Sequence, residues 1–290
     1  MTWVGYALLS AFCLATTDAL TKKSLGTLQR AGDLYLVAWA RLLYASPLLL
    51  LALIVIPIPP LDATFWWTIV WLVPLELTAL VLYVKALRAS PLSLTMPFLS
   101  LTPAFLLITS ALMLGEAPSL LGSAGVLCIV IGAFVLHAQA WRQGLRRLWE
   151  LIWREEGSRY MIAAAFLYSI TSNLGKRAIL HSSPVFFGVV YFLILSAAFL
   201  PIALAAAGSR GLRSVWRRDF AAIGAFEALM ILGHVLAIVQ TNVAYMIAVK
   251  RTSALFGMGY GAWWFGERQL AQRLAGAAVM LIGVALTVAG

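Results

Sequence analysis

Apolar runs of roughly helix-spanning length, parted by short polar or proline-bearing breaks, fill this chain almost end to end. About 20 apolar residues cross a hydrocarbon core of about 30 Å as a helix. Ten runs qualify: 3–21, 33–56, 66–87, 93–114, 119–138, 159–179, 184–207, 219–240, 244–265 and 270–289. The gaps between them are short, as antiparallel neighbours require. Pro57, Pro59 and Pro60 close the second run, and Ser90-Pro91 parts the third from the fourth. Trp66, Trp67 and Trp71 open the third run and Trp263-Trp264 close the ninth, the placing of an aromatic belt at a membrane surface. One polar stretch is longer, 139–158. There Trp141, Leu145, Leu148, Trp149 and Ile152 recur at helical spacing, with Arg142, Arg146, Arg147, Glu150 and Arg154 on the other face. That pattern predicts a helix lying in the headgroup plane.

The pattern is written twice. Gly115, Glu116, Gly125 and Gly132 return 151 positions later as Gly266, Glu267, Gly276 and Gly283. Glu76 maps onto Glu227 and Ala86 onto Ala237 at the same offset. Lys22-Lys23 parallels Lys176-Arg177, and Pro47 parallels Pro201, both shifted by 154. The offset spans five helices, an odd number, so the second copy is upside down relative to the first. The expected fold class is an all-α membrane protein of ten transmembrane helices in two inverted five-helix repeats. The expected domains are a first repeat over 1–138, an interfacial linker over 139–158 and a second repeat over 159–290. The linker, the loop with Arg210, Arg213, Arg217 and Arg218, and the loop with Lys22, Lys23 and Arg30 fall on one side. The positive-inside tendency makes that side cytoplasmic and puts both termini outside.

Composition agrees. Of 290 residues, 62% are hydrophobic and 11% charged, and the mean hydropathy is +0.93; a soluble domain carries about a quarter charged residues. A net charge of +10 raises nucleic acid as a partner, but too few charges lie outside the apolar runs to line a duplex. Cys13 and Cys128 sit within apolar runs and imply neither a disulfide framework nor a metal site. "LLSAFC" resembles a lipoprotein processing site only weakly, because Phe12 is bulky, so the first run is expected to stay as a spanning helix. No P-loop, metal-ligand cluster or nucleophile–base set is present, so neither an enzyme nor a cofactor is expected.

Ionisable groups inside a bilayer are costly, and each is a candidate for function. Lys250-Arg251 lies one to two turns inside the ninth helix, and its repeat mates are Leu99 and Ser100. Met246, Ile247, Ala254 and Leu255 offer no acid within the same helix, so the countercharge comes from another helix or a substrate. The plainer reading has Lys250 snorkelling to the headgroups and Arg251 paired with Glu227 or a carbonyl. Glu76 and Glu227 lie midway along their helices, as ion-pair partners for a cation such as Arg41 or as carboxylates that exchange protons. His234, seven residues beyond Glu227, is able to join either network. Asp18 has Lys22 four residues on, a pairing distance on a helix near the interface. Tyr83, Tyr245, Asn173, Gln240 and Asn242 serve either to orient a ligand or as interhelical hydrogen-bonders. Gly257, Gly259 and Gly261 are expected at a close approach to a neighbouring helix or a substrate. The expected substrate-binding set is therefore Lys250, Arg251, Arg41, Tyr83, Tyr245 and His234, with Glu76, Glu227 and Asp18 for ion pairing or coupling.

At "ALRASPLSLTMPFLSLTPAFLLITSALMLGEAPS" and "AVKRTSALFGMGYGAWWFGERQLAQRLAGAAVMLIG" the chain resembles the ten-helix EamA-like branch of the drug/metabolite transporter superfamily. The resemblance rests on Ala86, Ser90 and Pro91, on Pro103, and on a Gly-Glu ending the fourth helix of each half. It implies a secondary carrier with a central cavity between the halves that works by alternating access; the expected setting is the cell's inner membrane, and the expected state a monomer or weak homodimer. Many such carriers export amino acids or related metabolites, and small four-helix relatives expel cationic drugs. Distant relatives exchange sugar phosphates through a Lys-Arg pair on the ninth helix, which Lys250-Arg251 resembles. The expected cargo is a small organic solute bearing a carboxylate or phosphate. A proton-coupled exporter of cationic drugs and a flippase for lipid headgroups are the alternatives.

Overall fold

Each of the ten apolar runs forms helix, and two of them are broken at one and the same register. The computed structural model describes residues 2–25, 33–90, 92–136, 154–208, 215, 218–265 and 270–290. The elements are α1 (Thr2–Leu25), α2 (Asp33–Val55), α3 (Ala63–Ala89), α4 (Leu92–Leu99), α5 (Thr102–Leu114) and α6 (Leu120–Leu136). They continue as α7 (Glu156–Leu180), α8 (Pro184–Ala207), α9 (Asp219–Ile238), α10 (Val243–Lys250), α11 (Ser253–Phe265) and α12 (Leu270–Ala289). Displaced by 151 positions, the bounds of α4 and α5 coincide with those of α10 and α11, and the start of α2 with that of α8. Trp66, Trp67, Trp71 and Trp263 present exposed rings. The expected interfacial helix lies outside the described residues up to position 153, as do Gly266, Glu267, Arg30, Arg210, Arg213 and Arg217.

The fourth and ninth spans, expected unbroken, are each two helices. In the fourth, Pro103 has no N–H to give the Leu99 carbonyl. The Thr102 hydroxyl donates to that carbonyl instead, at 2.7 Å. In the ninth the equivalent residue is Ala254, so proline is not the cause. There the ladder tightens to the 3₁₀ pattern: Thr252 donates its N–H to Val249 at 3.0 Å and its hydroxyl to the same carbonyl at 2.7 Å.

Contacts divide the chain into two compact units, and each takes helices from both repeats. The first holds Met1–Leu77 and Leu174–Gln240. In it α1 packs on α9, α2 on α8, and α9 on both α2 and α8. Its core is Cys13, Ala45, Leu49, Val189, Ala228, Met230 and Ile231. At one surface of this unit the Asp62 carboxylate accepts the Phe65 N–H at 2.8 Å, capping α3, and lies 2.7 Å from His181 Nδ1. The Phe65 N–H first, and His181 after it, hold the Asp62 carboxyl below its ordinary value of 3.8. A group with a depressed value in the folded state stabilises above the unfolded value and loses that effect as pH falls. Asp62→Ala is therefore expected to lower the thermal midpoint in detergent at neutral pH, with the deficit closing below about pH 4. A deficit constant across that range would refute it.

The second unit holds Thr78–Asn173 and Thr241–Gly290. Here α6 lies along α12, and α10 packs on α5, α6 and α12. Gly125, Gly132, Gly276 and Gly283 form the α6–α12 seam. A Cβ on Gly132 would stand 2.8 Å from the Gly276 carbonyl, and one on Gly283 would stand 2.7 Å from the Gly125 carbonyl. Gly125 and Gly276 are repeat mates, as are Gly132 and Gly283. Gly132 meets Gly276, and the repeat mates of that pair, Gly283 and Gly125, meet each other, the self-complementary pattern of a two-fold contact. Gly257 and Gly259, expected at a close approach, have nothing within 4 Å of an added Cβ. They are open positions on α11, and the seam is elsewhere.

Candidate functional site

Among the described residues, each unit carries a polar centre built on an arginine within the bundle. In the first, Arg41 of α2 stands between two carboxylates. Its Nε and Nη2 donate to the same oxygen of Glu227, on α9, at 3.1 and 2.9 Å. Its Nη1 donates to Asp18, on α1, at 2.8 Å. The Glu227 side chain is 7% exposed, Arg41 18% and Asp18 43%. The centre's most exposed member is an acid. Asp18, which the sequence sets beside Lys22, thus has a partner on a different helix. Arg41 has no cationic repeat mate: Phe192 stands 151 positions on and Leu195 154 positions on, and both are apolar. Glu76, the mate of Glu227, is half-buried on α3, and His234 is half-buried two turns beyond Glu227.

The second centre lies at the helix breaks. Arg251 follows Lys250, the last residue of α10, and its Nη2 donates to the Thr102 hydroxyl at the start of α5, 3.1 Å away. The two breaks therefore touch through one hydrogen bond. Transporter sites are commonly built where helices are interrupted, because freed backbone groups and half-helix ends face a cavity or a ligand. Both cations again lack cationic repeat mates: Leu99 and Ser100 stand in the first copy. A feature that fails to repeat in a duplicated scaffold is not required by the scaffold. Thr102 as the partner of Arg251 was not legible from spacing; its signal was its place beside Pro103.

Other expected site residues fall into supporting roles. Tyr83 packs on the core of Ala86, Phe98, Leu99, Met161 and Ala165. The Tyr245 hydroxyl accepts the Ser119 N–H at 2.9 Å, and its ring fills the space where Gly122 has no side chain. Asn173 is fully buried and donates to the Thr109 hydroxyl at 3.0 Å, an interhelical bond. Gln240 accepts from Thr2 at 2.5 Å.

The family model of the EamA-like transporter family matches the chain twice, over residues 1–138 and 157–289. The chain belongs to the EamA-like transporter family. It is accordingly a multi-pass membrane protein of the drug/metabolite transporter type, and family members are transporters of small molecules, not enzymes. No curated protein matches it. Solved structures do. One, described only as "Crystal structure of protein", aligns with a TM-score of 0.71 over 97% of this chain and 95% of that one, at 16% identity. That is a likeness of fold. Among the described residues of this EamA-like chain, six helical segments are long and apolar enough to cross a membrane by length and composition, one of them, Thr95–Leu114, running through the break between α4 and α5.

Proposed function

We propose that this EamA-like protein is a secondary transporter, an exporter or exchanger, of small organic solutes bearing a carboxylate or phosphate, amino acids among them. It works by alternating access in a bacterial-type inner membrane, driven by a proton or an exchanged solute. One observation carries the reading: Lys250 and Arg251 stand at a helix break whose repeat copy is neutral. Cations kept inside an apolar bundle, at an interrupted helix, are suited to hold an anionic group. In liposomes, Lys250→Ala/Arg251→Ala is expected to raise the KM for such a solute about 10- to 100-fold, the effect of losing one charged hydrogen bond or two. Equal KM values for wild type and variant would remove the anionic reading.

A second reading has its own observation. Asp18 is the most exposed member of the Arg41 centre, a carboxylate within reach of solvent. This favours proton-linked movement of an organic cation through Asp18. Asp18→Asn abolishing uptake of a cationic dye, with amino-acid flux absent in wild type, would put this reading first.

A further inference from the structure

The Gly-Glu of the repeat does more than end a helix. Gly115 follows α5 in the left-handed region, at φ 67°, where glycine is favoured. Its N–H donates to Ala111 and that of Glu116 to Ser110, which closes the last turn and reverses the chain. The Glu116 carboxylate then accepts the N–H of Val243 at 2.8 Å. Val243 is the first residue of α10, and Asn242 before it makes no side-chain cap of its own. Three residues beyond Glu116, the Ser119 N–H donates to Tyr245, on the first turn of the same helix. The 115–119 connection of the first repeat therefore grips the start of α10, which belongs to the second repeat, at two points.

α10 is eight residues, and Val243–Val249 are all buried. At 1.5 Å per residue it is a rod of about 12 Å. One end is held by a carboxylate, which suits the positive pole of the helix; the other ends in Lys250, which suits the negative pole. A rod this short and this enclosed transmits the position of its start to its end.

We propose that Glu116 is a positioning residue for the Lys250–Arg251 site: it caps α10 from the opposite repeat and so sets where the two cations stand. The inference rests on the anion-binding reading above. Its test uses the full-length protein in detergent, with inorganic phosphate as the anion probe and two readouts. Hydrogen exchange of the α10 amides reads the cap without any ligand. The phosphate concentration that half-saturates the thermal shift reads the site. Glu116→Ala is expected to speed α10 exchange roughly five- to tenfold and to raise the half-saturating phosphate by a similar factor. Glu116→Gln keeps an acceptor oxygen for Val243 but loses the charge, and is expected to fall between wild type and Glu116→Ala in both. Tyr245→Phe, a gentler change, is expected to move both readouts the same way by less.

In the Lys250→Ala/Arg251→Ala background, Glu116→Ala is expected to add no further loss of phosphate response, as coupled residues are non-additive. Unchanged α10 exchange in Glu116→Ala would overturn the cap. Faster exchange with unchanged phosphate response, or a loss that adds in full to that of the cation variant, would overturn the positioning role. A wild type indifferent to phosphate would overturn the anion site itself, and the exchange data would show separately whether the cap stands.

Discussion

Replacing Arg41 with alanine is expected to cost about 3–5 kcal/mol of stability, the usual result of removing one member of a buried ion pair. The loss falls on Glu227, whose side chain is 7% exposed and whose one oxygen takes both guanidinium bonds. Asp18, at 43% exposure, is hydrated without Arg41 and contributes little to the deficit. The double variant Arg41→Ala/Glu227→Gln is expected to recover most of the lost stability, because the stranded charge is gone while the side-chain volume remains. Asp18→Asn alone is expected to be mild. Thermal unfolding of the four proteins in one detergent at neutral pH makes the comparison. Equal midpoints for Arg41→Ala and the double variant would show that Glu227 does not depend on Arg41.

The seam between α6 and α12 gives the second large effect. Gly132→Ala would set a Cβ 2.8 Å from the Gly276 carbonyl and 2.7 Å from the Met280 nitrogen. Both are backbone atoms, which no rotamer change moves aside. The helices must separate, at about 1–3 kcal/mol for an overpacked contact. Gly276→Ala meets the Gly132 carbonyl from the other side, at 2.7 Å. Once the helices have parted for one alanine, the second adds less, so the double variant is expected to fall short of the sum. Gly257→Ala is the control, since nothing lies within 4 Å of its added Cβ. It is expected to gain about 0.5–1 kcal/mol through reduced chain entropy in the unfolded state. A Gly257→Ala loss as large as that of Gly132→Ala would remove the seam from the account.

Periodicity and the repeat made the all-helical fold and its inverted halves legible, because a spanning helix needs little more than length and apolarity. The register of the glycines was visible as well, but its use was not. Spacing alone does not separate a packing glycine from an open one, so Gly257 and Gly259 read the same as Gly125 and Gly132. The breaks in the fourth and ninth spans escaped for a similar reason. Pro103 in a first turn suits a helix start as well as a break, and the tightening at Arg251–Thr252 leaves no residue signature. The contact between Arg41 and Asp18 joins residues on different helices, whereas sequence distance favours Lys22. Glu116 was visible as a repeated residue, and only the fold shows that its partner is an amide of the other half.

The breaks also bear on biogenesis. A segment with Lys250 and Arg251 one to two turns inside it is a poor candidate for entering lipid unaided. Its first part, Val243–Val249, is enclosed by α5, α6 and α12, so its solvent in the finished protein is other helices. α5 and α6 precede it in synthesis and α12 follows. Most of the surface that shelters the ninth segment therefore exists before that segment emerges, and the last helix closes over it once it is in place.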